Sequence, residues 1–198
     1  MDTLLSICIG IGLSAACGFR VFVPPLVMSM ASIFGHLTLS PNFGWMGTYP
    51  ALVVFAVATC IEIAAYYIPW VDHLLDIVAT PMAIAAGTVV TASLLPDADP
   101  MLQWTVALIA GGGSAGTIQA FSGMARLAST LMTGGLGNAL ISTIESGGSI
   151  ILSGLAIAVP VFAVCLVAVL LVFTLSQLGR NLALKRERQE AALSSSKN

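Results

Sequence analysis

Charge is scarce in this sequence. Only 8% of its 198 residues are Asp, Glu, Lys or Arg, against 58% hydrophobic. A soluble domain carries about 25% charged and about 45–50% apolar residues, so the surface that keeps a globular enzyme in water is missing. Disorder is excluded on the opposite ground, because disordered chains have low hydropathy. Seven basic residues at a net charge of −2 offer no face to nucleic acid. There are two histidines, His36 and His73, and four cysteines, Cys8, Cys17, Cys60 and Cys165, with no C-x-x-C pair. Neither a disulfide framework nor a zinc site has residues to build on. The cysteines read as small buried hydrophobes, and no metal or cofactor is expected. Asp2 stands where a signal peptide has its cationic region, so Met1 onward reads as retained first-helix sequence.

What is present is long apolar runs. About 115 apolar residues, at roughly 20 per crossing, allow five or six transmembrane helices. The expected fold is an all-α integral membrane protein of about five spans, two of them interrupted. Residues 4–34 as one straight helix would run about 46 Å against roughly 30 Å of hydrocarbon. That stretch contains Gly10, Gly12, Gly18, Arg20, Pro24 and Pro25, so a bent, interrupted or re-entrant helix is predicted. A turn-rich loop with Phe43-Gly44-Trp45 leads to a span at 51–68, whose Tyr66, Tyr67 and Trp70 read as a membrane interface. An acidic connector at 72–76 precedes a span at 77–95, closed by Pro96-Asp97-Ala98-Asp99-Pro100. The stretch 104–132 is predicted to break at Gly111-Gly112-Gly113. A Gly-rich loop at 134–148 then precedes a charge-free span at 150–178, kinked at Pro160.

Shifting the chain by 100 positions pairs Gly12 with Gly112, Ser14 with Ser114, Ala15 with Ala115, Ser29 with Ser129 and Gly35 with Gly135. This suggests pseudo-repeats at 3–69 and 103–178 around a connector span at 77–95, all within one transmembrane domain at 1–179. If each interrupted stretch crosses once, the halves are inverted, as in many transporters. If each is a re-entrant hairpin, they are parallel. Either way the number of crossings is odd. Arg180, Lys185, Arg186, Arg188 and Lys197 gather near the C-terminus, and cytoplasmic flanks collect such residues. The expected location is the cell (inner) membrane, with a cytoplasmic basic tail at 180–198 and the N-terminus outside.

Ionisable residues at depth are the functional candidates, because a charge in hydrocarbon persists only when paired or hydrated. Glu62 and Arg20 are the first, with a mutual ion pair as the simplest expectation; a register-fixing pair is the structural alternative. Arg126, with Gln119 two turns before it, could neutralise an anionic solute or headgroup or snorkel to the interface. Glu145 reads as a loop charge or an Arg126 partner. Asp72, His73 and Asp76 could bind a cation or relay protons, or form a helix N-terminus with Asp72 as cap. Gly112 and Gly116 match G-x-S-x-G, but both histidines precede the motif, which excludes a hydrolase triad in the required order. The same pair fits close helix packing. Gly18, Pro24, Pro25, Gly111, Gly112, Gly113 and Gly116 are thus the predicted break and packing positions.

The stretch Ala16-Cys17-Gly18-Phe19-Arg20-Val21-Phe22 before Pro24, the stretch Ile68-Pro69-Trp70-Val71-Asp72-His73 through Asp76, and the glycines 111–116 resemble the bacterial membrane family "domain of unknown function 4126". The likeness extends to Arg126 and the 134–145 segment, and implies a multi-pass membrane fold without a defined activity. One departure is Tyr66-Tyr67, where the resemblance implies polar residues. The functional expectation is a small transporter, channel or lipid translocase with a midplane site between broken helices. Its partners would be the bilayer, a small solute, ion or lipid, and a second copy of the chain. A non-transporting scaffold or assembly factor is the alternative. A membrane-embedded enzyme has only the Asp72–Asp76 cluster behind it.

Overall fold

The computed structural model describes residues 3–95, 99–134, 137–174, 176 and 179. The basic tail from Arg180, the stop signal at 96–98 and the side chains of Trp70, Asp72, His73 and Asp76 lie outside that description. The described chain is all-α, with eight α-helices plus one 3-10 and one π segment.

Helix α1 (Thr3–Cys17) and helix α2 (Val23–Ile33) are separated by residues 18–22. Pro24 and Pro25 fall in the first turn of α2, where a missing amide costs nothing. The chain folds back at this gap. Gly10 lies against Thr91, while the Ser93 hydroxyl donates to Met28 Sδ at 3.4 Å. Residues 10 and 28 are therefore level, whereas a straight helix would hold them about 27 Å apart. Of the two forms open to the first stretch, the hairpin is the one found.

A 3-10 segment (Pro41–Gly47) meets helix α3 (Tyr49–Ala65) at a 65° bend. Helix α4 (Pro69–Ser93) absorbs the expected acidic connector, and its N-cap is Ile68, so Asp72 lies inside the helix rather than capping it. Helix α5 (Pro100–Val106) passes through a π-helical segment (Ala107–Gly112) into helix α6 (Gly113–Thr133), with helical backbone throughout. The predicted break at the three glycines does not form. Glycines without side chains let α6 close onto α4 instead, and the π turn takes up the mismatch. A Cβ at Gly112 would lie 2.6 Å from Thr88 Oγ1, one at Gly116 2.8 Å from Ile84 Cγ1, and one at Gly87 2.7 Å from Ala115 Cβ; Gly111 abuts Thr91, and Gly113 faces open space.

Gly134 ends α6 in the left-handed conformation, φ 64°. Helix α7 (Asn138–Ala158) then occupies most of the segment expected to be loop. The expected kinked span at 150–178 is also corrected. A Cβ on Gly12 would lie 2.7 Å from Ala156 Cβ and 3.4 Å from Ala163 Cβ, so these two are at most about 6 Å apart. A straight helix would separate them by about 10 Å. The chain turns at Val159, where φ −139° and ψ 71° leave the helical region. Helix α8 (Pro160–Thr174) runs back along α6, bringing Phe173 to 6.2 Å from Phe121. One interrupted stretch thus turns back and the other runs on, so the expected inverted repeat does not describe this arrangement.

Polar side chains are buried beside the apolar core, and large apolar ones face outward. Ser14, Thr91, Ser142, Ser149 and Ser153 are fully buried, while Val53, Val57, Ile61, Ile144 and Val172 stand more than half exposed. Helix α7 is long and apolar enough to cross a membrane, and the bent pair Pro41–Gly47 with Tyr49–Ala65 passes the same test together.

Candidate functional site

Three parts of the fold converge below the hairpin tip. Helix α7 presents Ser142, Glu145, Ser146 and Ser149 at i, i+3, i+4 and i+7, which is one helix face. Helix α6 presents Ser122 and Arg126, four residues apart and on one face for the same reason. The tip brings Arg20, and the end of α3 brings Glu62 with Tyr66 just after it.

Glu145 is the hub. Its Oε1 accepts from Arg126 Nε at 3.1 Å and from the Ser122 hydroxyl, and its Oε2 accepts from Arg126 Nη2. Arg20 Nη2 lies 3.7 Å from the same Oε2. That nitrogen also donates to the Ser142 carbonyl at 2.9 Å and to the Ser142 hydroxyl, and Arg20 Nε donates to Ser146 Oγ at 3.0 Å. Both guanidiniums stand over the Tyr66 ring, each 4.0 Å from its centroid, an attraction that strengthens when water is excluded. Arg20 is wholly buried, and its Nη1 has no hydrogen-bond partner.

The ion pair expected between Arg20 and Glu62 is not the one that forms. Glu62 instead accepts from two backbone amides, Val21 N–H at 2.8 Å and Phe22 N–H at 3.0 Å. These amides immediately precede α2, Phe22 being its N-cap, at the end where the helix dipole favours a negative charge. Among the described residues, the cluster holds two guanidiniums and two carboxylates. It sits off-centre. Glu145 is about 10 Å along α7 from Asn138 and about 20 Å from Ala158.

Gly18 seats the tip. A Cβ there would fall 2.5 Å from the Ala115 carbonyl oxygen and 3.0 Å from the Gln119 amide nitrogen. Gln119 is itself buried, one turn before Ser122, and Pro24 and Pro25 are buried at the start of α2. Beside the cluster, a cavity of about 250 Å³ is lined by Phe22, Glu62, Tyr66, Leu75, Ala79 and Met82. A second, of about 510 Å³, opens near Phe34, His36 and Ala158. Asp72, His73 and Asp76 lie on α4 by their backbone; nothing of their side chains is described. Among the described residues, no group of three His, Cys, Asp or Glu could hold a metal ion.

Tyr66 departs from its expected interfacial place. It is 7% exposed and packed into the cluster, while Tyr67 stays exposed with its hydroxyl 2.8 Å from Thr143 Oγ1. Sequence reasoning also missed Ser122, Ser142 and Ser146. Their signal was the helical spacing around Arg126 and Glu145, hidden by glycines that made 134–148 read as loop.

Neither a curated protein nor a solved structure matches the chain significantly. A family profile matches residues 7–180, a range that holds every member of the charged cluster, and the chain belongs to the family described as Domain of unknown function (DUF4126).

Proposed function

We propose that this is a multi-pass membrane protein that moves a small solute, ion or lipid headgroup, with the Arg20–Glu62–Arg126–Glu145 cluster as its site. Helix α3, helix α4, the α5–α6 rod, helix α7 and helix α8 are its five crossings, and the α1–α2 hairpin dips in from the N-terminal side. The odd count puts the termini on opposite sides, the C-terminus cytoplasmic by its basic residues. One observation carries the reading: four charged side chains are buried in a chain that exposes many large apolar ones, Val53, Ile61, Ile144 and Val172 among them. In hydrocarbon such charges mark a pathway or relay, and irregular backbone at depth, like residues 18–22, is tolerated only inside protein or against a water-filled cavity.

The scaffold alternative is weaker in one respect. Its helix-packing face, Gly112 and Gly116, already meets Thr88 and Ile84 of α4. Purified protein in liposomes is expected to give protein-dependent flux of a tracer from an ion, amino-acid and lipid panel. Arg20→Gln is expected to lower that flux at least tenfold while the protein still elutes as a folded species. Folded wild-type protein with no flux across the panel overturns the proposal.

A further inference from the structure

Helices α3 and α4 face each other with matched apolar stripes, Ala58, Ile61 and Ala65 on one and Leu75, Ala79 and Met82 on the other. The spacing, i, i+3 or i+4, and i+7, puts each set on one helix face. Helices with such faces ordinarily close to about 8–10 Å between axes. These do not. Helix α3 packs along α2 and the 3-10 segment and stands off α4. The gap is the cavity of about 250 Å³ beside the charged cluster, with Val21 and Phe22 of the hairpin tip also in its wall. Among the described residues almost none of that wall is polar, and the two Glu62 oxygens are engaged by the Val21 and Phe22 amides.

A packed interior holds few voids larger than a water molecule, and an apolar cavity of about 150 Å³ already stays dry and takes up benzene. This one is larger, and it is not sealed. Ile61, Val78 and Met82 in its wall are 63%, 42% and 39% exposed, and exposed Val57 and Ile77 continue that apolar surface on the two helices. Its dimensions are those of one hydrocarbon chain. Spread over the roughly 10 Å that residues seven apart span, the volume gives the cross-section of a single extended chain. From exposed Tyr67, just past the end of α3, the cleft reaches back to Ala58, about 13 Å along the helix. That is close to half of the roughly 30 Å of hydrocarbon, the depth of one leaflet.

We propose that this cleft is a lipid site: it holds one acyl chain of a phospholipid, with the headgroup at the Tyr67 end. By the basic residues that follow α8, that end is cytoplasmic, so the lipid belongs to the cytoplasmic leaflet. The acyl chain enters sideways from the bilayer, between Ile61 and Val78, and lies along Ala79 and Tyr66. Tyr66 lines the cleft and also carries the Arg20 and Arg126 guanidiniums over its ring. The bound lipid therefore touches the charged cluster through one side chain. The proposal rests on the polypeptide spanning a membrane and not on transport.

The probe is phosphatidylcholine with a diazirine midway along one acyl chain, doped into vesicles of phosphatidylethanolamine and phosphatidylglycerol that hold the full-length protein. Illumination expels nitrogen, the carbene inserts into the nearest C–H bonds, and peptide fragmentation maps the label. Ala79 is 4% exposed and lines the cleft, whereas Ala83, one turn on, is wholly buried and does not. Label at Ala79 is expected to exceed label at Ala83 at least tenfold. Equal label at the two overturns the site and leaves the cleft to a partner helix. Ala58→Leu fills the cleft from α3 and is expected to cut the Ala79 label at least fivefold, with the label at exposed Val172 of α8 unchanged. Ala79→Leu fills it from α4 and is read at Tyr66 in the same way. Undiminished label in the filled variants also overturns the site, and where neither variant folds the wild-type map decides. Moving the diazirine towards the glycerol is expected to shift label from Ala58 to Tyr66; the reverse shift overturns the leaflet. Membrane location is read separately by fractionation. Folded protein recovered in the soluble fraction removes the membrane reading and the lipid site together. Membrane-embedded protein without label at Ala79 removes the lipid site alone.

Discussion

Glu145 neutralises Arg126 through two hydrogen bonds and also faces Arg20, so its removal leaves two buried guanidiniums with one remaining carboxylate among the four cluster groups. Breaking a buried pair in this way costs about 3–5 kcal/mol. Glu145→Gln is expected to lose stability in that range by denaturation in detergent. Adding Arg126→Met removes the guanidinium that Glu145 holds, and the double variant is expected to be more stable than Glu145→Gln alone. A double variant no more stable would mean that packing, not charge, sets the loss. At this scale the sequence was half legible. The four ionised residues of the cluster stand out in so apolar a chain, and an Arg126–Glu145 partnership was one of two readings. That Arg20 would face Glu145 and Glu62 the Val21 and Phe22 amides, in place of the expected Arg20–Glu62 pair, was not foreseeable, because spacing along one helix does not say which helices meet. Tyr66 was hidden for another reason: an aromatic beside a proline reads alike at an interface and over a guanidinium.

Among the elements, the π segment has a structural meaning that deletion can expose. A π turn holds one more residue than an α turn, so removing one residue there lets α5 and α6 continue as an α-helix with both ends in register. Deletion of Ile109, which is 71% exposed, is expected to leave a folded protein with a melting temperature within a few degrees of wild type. Deletion of Gly123, where an added Cβ would meet nothing within 4 Å, turns Arg126 by about 100° relative to Gly116 and is expected to abolish folded material in size-exclusion chromatography. Survival of both would mean that the seam between α4 and α6 does not fix register. The helices themselves were legible as apolar runs, and the gap at 18–22 was legible from Pro24 and Pro25. Glycine was the misleading signal. At 111–113 and 147–148 it sits inside helices: at Gly111 and Gly112 because a neighbouring helix comes too close for a side chain, whereas Gly113, Gly147 and Gly148 are simply tolerated.

For the whole molecule, the proposed arrangement makes one topological commitment. Reporter fusions at the two ends are expected to show a C-terminus in the cytoplasm and an N-terminus outside; both ends on one side would mean that the count of crossings is wrong. The proposed count is odd, as the sequence reading was, although the assignment behind it differs: a fold-back replaces a crossing, and one kinked span becomes two antiparallel helices. The fold-back also constrains how the protein is made. Arg20 hydrogen-bonds to Ser142 and Ser146, and the Ala16 carbonyl accepts from Ser149, partners that lie 122 to 133 positions later in the chain. The ribosome therefore delivers the first two helices long before the surface that seats them exists. Until α7 arrives, that segment has only incomplete company, and its seating belongs to the last steps of biogenesis, when the nascent chain closes around what it began with.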